Sequence, residues 1–314
     1  MNKTKLIIVI LTTAAIVFSQ SFNAGKNGVV VSASKIASDI GIQIMKDGGN
    51  SVDAAVAVSF ALAVVWPEAG NIGGGGFMVI RFPDGSATTI DYREKAPEKA
   101  SEEMYLDANG DPIPNLSTEG PMSAGVPGTV AGMALAWEKY GLLPWNKLVQ
   151  PAIDLAKNGF PVTYYIYNGI QSHYDEMMQY PSTRKMFLPY DQVPAVGDII
   201  TFPDLAETLQ RIAENGADDF YRGLTAVKIA KSMNINGGII SYNDLKNYRA
   251  KERKPIKFSY RDHEIISMAP PSSGGVCLGQ ILKIVENFPL EHYGYFSKET
   301  IHKIVEAERF AYAN

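Results

Sequence analysis

Residues 71–92 decide how the rest of the chain is read. They run Asn71-Ile-Gly-Gly-Gly-Gly-Phe77, Met78-Val-Ile-Arg-Phe82, Pro83-Asp84-Gly85-Ser86 and Ala87-Thr-Thr-Ile-Asp-Tyr92. Two short runs rich in apolar and β-branched residues flank a turn. Proline presets φ in that turn, and glycine accepts a positive φ. The pattern predicts a β-hairpin. Gly73 to Gly76 lead into it, and a glycine run invites comparison with a phosphate-binding loop. The context favours another reading. No Gly-Lys-Ser/Thr follows, and the glycines enter a strand instead of a helix N-terminus. A tight passage of backbone against backbone or substrate fits better.

Before this stretch lie two helices. Ser34 can cap the first, which runs to about Asp47 with Ile36, Ile40 and Ile44 on one face and Gly48-Gly49 ending it. Asn50 or Ser51 caps the second, with Asp53 in its first turn. Val52 to Val65 is apolar nearly all round, the mark of a helix buried on every side, and Pro67 stops it. Beyond the hairpin, residues 101–125 are polar and turn-rich, a long loop. Helices are expected over 127–140 and from about Pro151 to Asn158. Residues 163–250 read as mainly helical, with a capping-box-like start at Ser241-x-x-Asp244. Strands follow at 255–260 and 263–268, then a turn at Pro270-Pro-Ser-Ser-Gly-Gly275 and helices at 276–287 and 298–312. Helices and hairpins come in groups, not in βαβ alternation. An α+β layered domain with an antiparallel sheet is the expectation.

Composition narrows the function classes. The chain has 314 residues, 46% hydrophobic and 20% charged, which is ordinary globular usage. Lys+Arg 29 against Asp+Glu 33 gives a net charge of −4, with no cationic excess to hold a nucleic-acid backbone. One cysteine excludes an intramolecular disulfide and a Cys-cluster zinc site. The four histidines lie far apart in sequence, so no metal site is expected. No cofactor is expected either. Residues 1–21 carry Lys3 and Lys5, an apolar run from Leu6 to Phe18, and small residues Ser19 and Ser21. That is the three-part pattern of a secretory signal peptide, and it predicts a periplasmic or secreted chain beginning near Phe22.

Three positions are candidates for chemistry. Cys277 lies in an apolar helix and reads as buried and structural. Ser272-Ser273 sits on a turn without a Gly-x-Ser-x-Gly elbow, and helix capping is the better role. Arg93 follows a strand end beside the glycine-rich loop. Its guanidinium could bind a carboxylate bidentately, or form a surface ion pair with Glu94 or Glu98. The residues alone leave these two readings level. No nucleophile emerges.

At Asn71–Phe77 and Asp91-Tyr-Arg-Glu-Lys-Ala-Pro97 the chain resembles the large-subunit part of γ-glutamyltranspeptidases (γ-glutamyl hydrolases), from about Gly28 onward. Gly48-Gly-Asn-Ser-Val-Asp-Ala-Ala55, Ala124-Gly-Val-Pro-Gly128 and Pro270–Gly275 resemble further family segments in the same order. The resemblance implies an N-terminal-nucleophile hydrolase fold of four αββα layers, incomplete in residues 22–314. It implies a precursor that cleaves itself, and a small-subunit threonine that attacks the γ-amide carbonyl with its own α-amine as base. The γ-glutamyl group then passes to water or to an amino acid or peptide acceptor. Glutathione and related γ-glutamyl compounds are the implied substrates, and the chain's own small subunit is the implied partner. Arg93 is implied as the ligand of the γ-glutamyl α-carboxylate. No matching threonine-led segment precedes Asn314, and the final helix carries no stop signal. The expectation is a large-subunit portion that lacks its nucleophile, is inactive by itself and does not fold stably by itself. A cephalosporin (glutaryl) acylase or poly-γ-glutamate-processing relative, or a non-catalytic glutamate-binding remnant, are the alternatives.

Overall fold

A computed structural model describes residues 25–313. The signal-peptide expectation falls outside them. The chain divides into two units. In the first, residues 1–31, the described residues 25–31 carry no helix or strand. The second begins at Ser32 and holds everything below.

Its elements in chain order are α1 (Lys35–Lys46), α2 (Ser51–Val65), β1 (Phe77–Arg81), β2 (Ala87–Asp91), α3 (Thr129–Tyr140) and α4 (Trp145–Asn158). There follow β3 (Phe160–Pro161), α5 (Tyr164–Ser172), α6 (Tyr174–Gln179), α7 (Pro181–Phe187), β4 (Ile199–Ile200), α8 (Pro203–Asn215) and α9 (Ala217–Arg222). The last are α10 (Leu224–Ile235), α11 (Tyr242–Asn247), β5 (Lys251–Arg253), β6 (Ile256–Tyr260), β7 (His263–Ser267), α12 (Gly274–Val285), α13 (Leu290–Tyr293) and α14 (Lys298–Ala313). The α+β expectation holds. The described strands form a three-stranded antiparallel sheet in the order β1-β2-β5 and two two-stranded ladders, β3-β4 and β6-β7.

Helix α2 is the centre of the core. Val56, Ala57, Phe60, Ala61 and Val64 are fully buried, as its all-round apolar sequence requires. Its start is a complete capping box. The Asn50 side chain accepts from the amides of Val52 and Asp53, and the Asp53 carboxylate accepts from the Asn50 amide. Asp53 is itself fully buried and also accepts from the Leu142 amide, which ties the start of α2 to the turn after α3. Helix α4 packs between α2 and α8. Leu148, Val149, Ala152, Ile153 and Ala156 make its buried face, and Trp145 meets Phe60 edge-on at 5.5 Å while donating to the Ile212 carbonyl at 2.8 Å.

Two departures from the sequence expectation have physical causes. Helix α4 starts at Trp145, not Pro151, so Pro151 lies inside it. The buried side chains of Trp145, Leu148 and Val149 outweigh the backbone hydrogen bond that a proline forfeits. Strand β5, Lys-Glu-Arg, carries no strand signal in the sequence. It pairs antiparallel with β2 through Thr89↔Arg253, Ile90↔Glu252 and Asp91↔Lys251. Charged residues without β-propensity suit a sheet edge, where they discourage further pairing.

Candidate functional site

The predicted hairpin is β1-β2, in register from Phe77↔Asp91 to Arg81↔Ala87. It continues past the strand ends through paired bonds between Gly76 and Tyr92. The glycine run is packed backbone. The Gly74 carbonyl accepts from the amides of Gly128 (2.6 Å) and Thr129 (3.0 Å), and the Asn71 carboxamide oxygen accepts from the Gly74 amide and the Thr129 hydroxyl. A Cβ on Gly75 would lie 2.5 Å from the Tyr92 carbonyl oxygen. The close-passage reading of these glycines is therefore the right one, and the phosphate-loop comparison falls away.

This packing fixes where Arg93 sits. Asp91 ends β2, and one of its carboxylate oxygens accepts from the Arg93 amide at 3.1 Å. The other oxygen takes the Arg253 guanidinium at 2.8 Å, across the β2-β5 pair. The Tyr248 hydroxyl donates to the Arg93 carbonyl at 2.8 Å. Both backbone polar groups of Arg93 are thus held by side chains that arrive from residues 91 and 248. Lys95 pairs with Val126 in a two-way backbone bridge, and its ammonium lies 5.2 Å from the centre of the Tyr248 ring.

Tyr248 is itself held. It stacks on Tyr221 at 5.6 Å with ring planes 13° apart, and Tyr221 donates to the Pro127 carbonyl at 2.9 Å while accepting from the Ala131 amide. Burial pushes the hydroxyls of Tyr221 and Tyr248 well above the ordinary phenol range, and that of Tyr92 to about 12. All three are therefore protonated donors at working pH.

The Arg93 side chain is exposed and makes no ion pair or hydrogen bond among the described residues. The alternative of a salt bridge to Glu94 or Glu98 is not formed. The guanidinium opens on a pocket of about 410 Å³ lined by Asp91, Arg93, Glu94, Lys95, Tyr248, Arg249, Lys251, Arg253 and Pro271. Its cations outnumber its two acids, and one acid is already paired to Arg253. Such a pocket suits a carboxylate ligand.

Cys277 is buried in α12 with its sulfur 3.7 Å from the Ala311 carbonyl, which fits a structural role. Ser273 precedes α12 without capping it by its side chain, whereas Ser272 Oγ accepts from the Gly274 amide at 3.3 Å. The capping expectation thus holds for Ser272 in a loose form and not for Ser273. Sequence reasoning missed Tyr248, Arg249, Lys251 and Arg253. Nothing local marks them, because they reach Arg93 through a strand pairing more than 150 residues distant in sequence.

The γ-glutamyltranspeptidase family model matches residues 37–314. The chain belongs to the γ-glutamyltranspeptidase family. It is a large-subunit-like portion of it, and it spans about half the length of the curated relatives it matches. The glutathione hydrolase proenzyme of Escherichia coli K12 is 46% identical over 290 residues, covering 92% of this chain and 50% of that protein. An acylase ACY 1 proenzyme of a Pseudomonas species (strain SE83) is 38% identical over 297 residues, 93% of this chain and 53% of that protein. The crystal structure of Helicobacter pylori γ-glutamyltranspeptidase superposes with a TM-score of 0.91 at 46% identity, covering 92% of this chain and 83% of that one. The fold is therefore that of the N-terminal-nucleophile hydrolases of this family, and this chain carries part of it.

Four of the five sequence blocks that carried the resemblance meet around Arg93. Asn71–Phe77 packs behind it, Asp91–Pro97 contains it, Ala124–Gly128 bridges to Lys95 and Gly74, and Pro271 lines the pocket. The fifth, Gly48–Ala55, is the capped start of α2.

Proposed function

We propose that this chain is the large-subunit portion of a γ-glutamyltranspeptidase/glutathione hydrolase precursor, exported to the periplasm or secreted. The assembled enzyme hydrolyses γ-glutamyl amides such as glutathione, or transfers the γ-glutamyl group to amino acids and peptides. Arg93 holds the α-carboxylate of the γ-glutamyl group, and the nucleophilic threonine comes from the small subunit after self-cleavage. A γ-glutamyl ester on that threonine is the intermediate.

The observation that carries this reading is the exposed Arg93 guanidinium, uncommitted to any other described residue, on a backbone clamped from both sides and facing a cationic pocket. A γ-glutamyl amide differs from an ordinary peptide bond in offering a free carboxylate at that end. A fixed, bidentate donor discriminates for it, because the paired charged bonds form only with a substrate that carries the group.

The test is steady-state kinetics of the full, self-processed enzyme on a γ-glutamyl anilide. Arg93→Lys raises KM strongly in this account, and an unchanged KM removes Arg93 from the site. Glutaryl anilide serves as the second substrate. It keeps the distal carboxylate and lacks the amine, so preference for it over the γ-glutamyl anilide would turn the assignment to an acylase.

A further inference from the structure

The carboxylate site assigned to Arg93 has an unexplained property. A long, flexible side chain binds a ligand well only if its root is fixed, since each freely rotating bond must be stilled on binding. Arg93 lies just past the end of β2, between the Gly76–Tyr92 pair and the Lys95–Val126 bridge, and neither of its own backbone groups joins a ladder. Its amide and its carbonyl are instead satisfied by two side chains, the Asp91 carboxylate and the Tyr248 hydroxyl. Each of those is fixed in turn. Asp91 is oriented by the Arg253 guanidinium on its second oxygen. Tyr248 is stacked on Tyr221, which is bonded to the Pro127 carbonyl and the Ala131 amide at the start of α3.

We propose that Tyr248 and Arg253, which also line the pocket, are positioning residues for substrate binding that act through the backbone of Arg93. The inference rests on the assignment of Arg93 to the substrate carboxylate. Tyr248 is suited to the role because its hydroxyl has one acceptor in reach and its ring is anchored independently of that bond. Removing the hydroxyl therefore frees the Arg93 carbonyl while leaving the stack in place. Arg253 is suited because its guanidinium pairs with Asp91 from a short, charged and largely exposed edge strand.

The experiment uses the full, self-processed enzyme and a γ-glutamyl anilide as probe. The variants are Tyr248→Phe, Arg253→Gln, Arg93→Ala, and the doubles Tyr248→Phe/Arg93→Ala and Arg253→Gln/Arg93→Ala. Tyr248→Phe and Arg253→Gln are each expected to raise KM by about three- to tenfold, the loss of roughly one hydrogen bond, with kcat within about twofold. In the Arg93→Ala background neither substitution should raise KM further, because the group it positions is gone. Direct contact with substrate predicts the opposite, an effect that persists without Arg93, and a role confined to stability predicts no change in KM. Unchanged KM in both single variants, or a full additive effect in the doubles, overturns the inference. An unchanged KM in Arg93→Ala itself would instead overturn the site assignment on which it rests.

Discussion

Gly128→Ala tests the packing behind Arg93 most directly. The native backbone there (φ −119°, ψ −18°) is open to any residue, so the substitution carries no conformational penalty. The obstacle is space. A Cβ on Gly128 would sit 2.0 Å from the Tyr92 carbonyl oxygen and 2.2 Å from the Tyr248 hydroxyl, where about 3.4 Å is ordinary contact. The first of these is backbone paired to Gly76, and the second holds Arg93. Either the end of β2 or the start of α3 must move. Overpacking at its upper range costs about 3 kcal/mol, and the lost Tyr248 bond adds about 1 kcal/mol. At roughly 2 °C per kcal/mol for a chain of this size, thermal unfolding should shift down by about 8 °C. Gly73→Ala is the control. No atom lies within 4 Å of its Cβ, so it should change stability by less than about 1 kcal/mol, with the reduced freedom of the unfolded chain favouring a gain. A Gly128→Ala midpoint within about 2 °C of the parent, or an equal loss at Gly73→Ala, would refute the claim that the glycines are kept for close backbone passage.

Other perturbations have defined outcomes. Arg93→Lys should lose about 2–4 kcal/mol of substrate binding, seen as a KM increase of about thirtyfold or more with autocleavage intact. Cys277→Ser should leave activity nearly unchanged, since the buried thiol is hydrogen-bonded to the Ala311 carbonyl and a hydroxyl can make the same bond; loss of activity in a folded variant would reopen a catalytic role. Glu252 accepts bonds from Lys139, Tyr140 and Thr88, which hold its carboxyl down to about 2. A folded value below the unfolded 4.5 means its stabilisation is complete above about pH 4.5 and fades towards pH 2. The gap in unfolding temperature between parent and Glu252→Gln should therefore close as pH falls through that window. Asp53→Ala should cost about 2–4 kcal/mol in denaturant unfolding, since it removes a cap, empties a fully buried side-chain site and leaves the part-buried amides of Asn50 and Leu142 without their acceptor.

Patterns that act over a few residues were legible. The hairpin, the fully buried helix α2, the long polar loop and the capping box at Ser241 all rest on local periodicity or turn chemistry, and all are present. Arg93 was found from its place after a strand end, yet its role stood level with a surface ion pair until the absence of any such pair among the described residues was seen. Strand β5 escaped notice because Lys251-Glu-Arg253 has neither alternation nor β-branching, and its pairing depends on an edge supplied by β2. Tyr248 escaped because its partner is remote in sequence. A tyrosine after a short helix looks like packing until its hydroxyl is seen on the Arg93 carbonyl. The start of α4 was misplaced because proline is a strong first-turn signal, and only the buried face shared with α2 and α8 overrides it.

The Asp53 carboxylate joins two helix boundaries, since it receives the amide before α2 and the amide that follows α3. Any movement of Asp53 strips both amides of their acceptor at once. Fraying at helix ends is normally independent and fast, but here the two ends share one opening event. In hydrogen exchange the amides of Asn50 and Leu142 should exchange at a common free energy, close to that of the core helix, and Asp53→Asn should release both together. The turn at residues 141–144 lies on the surface of the sequence pattern, yet its exchange clock is set from inside α2.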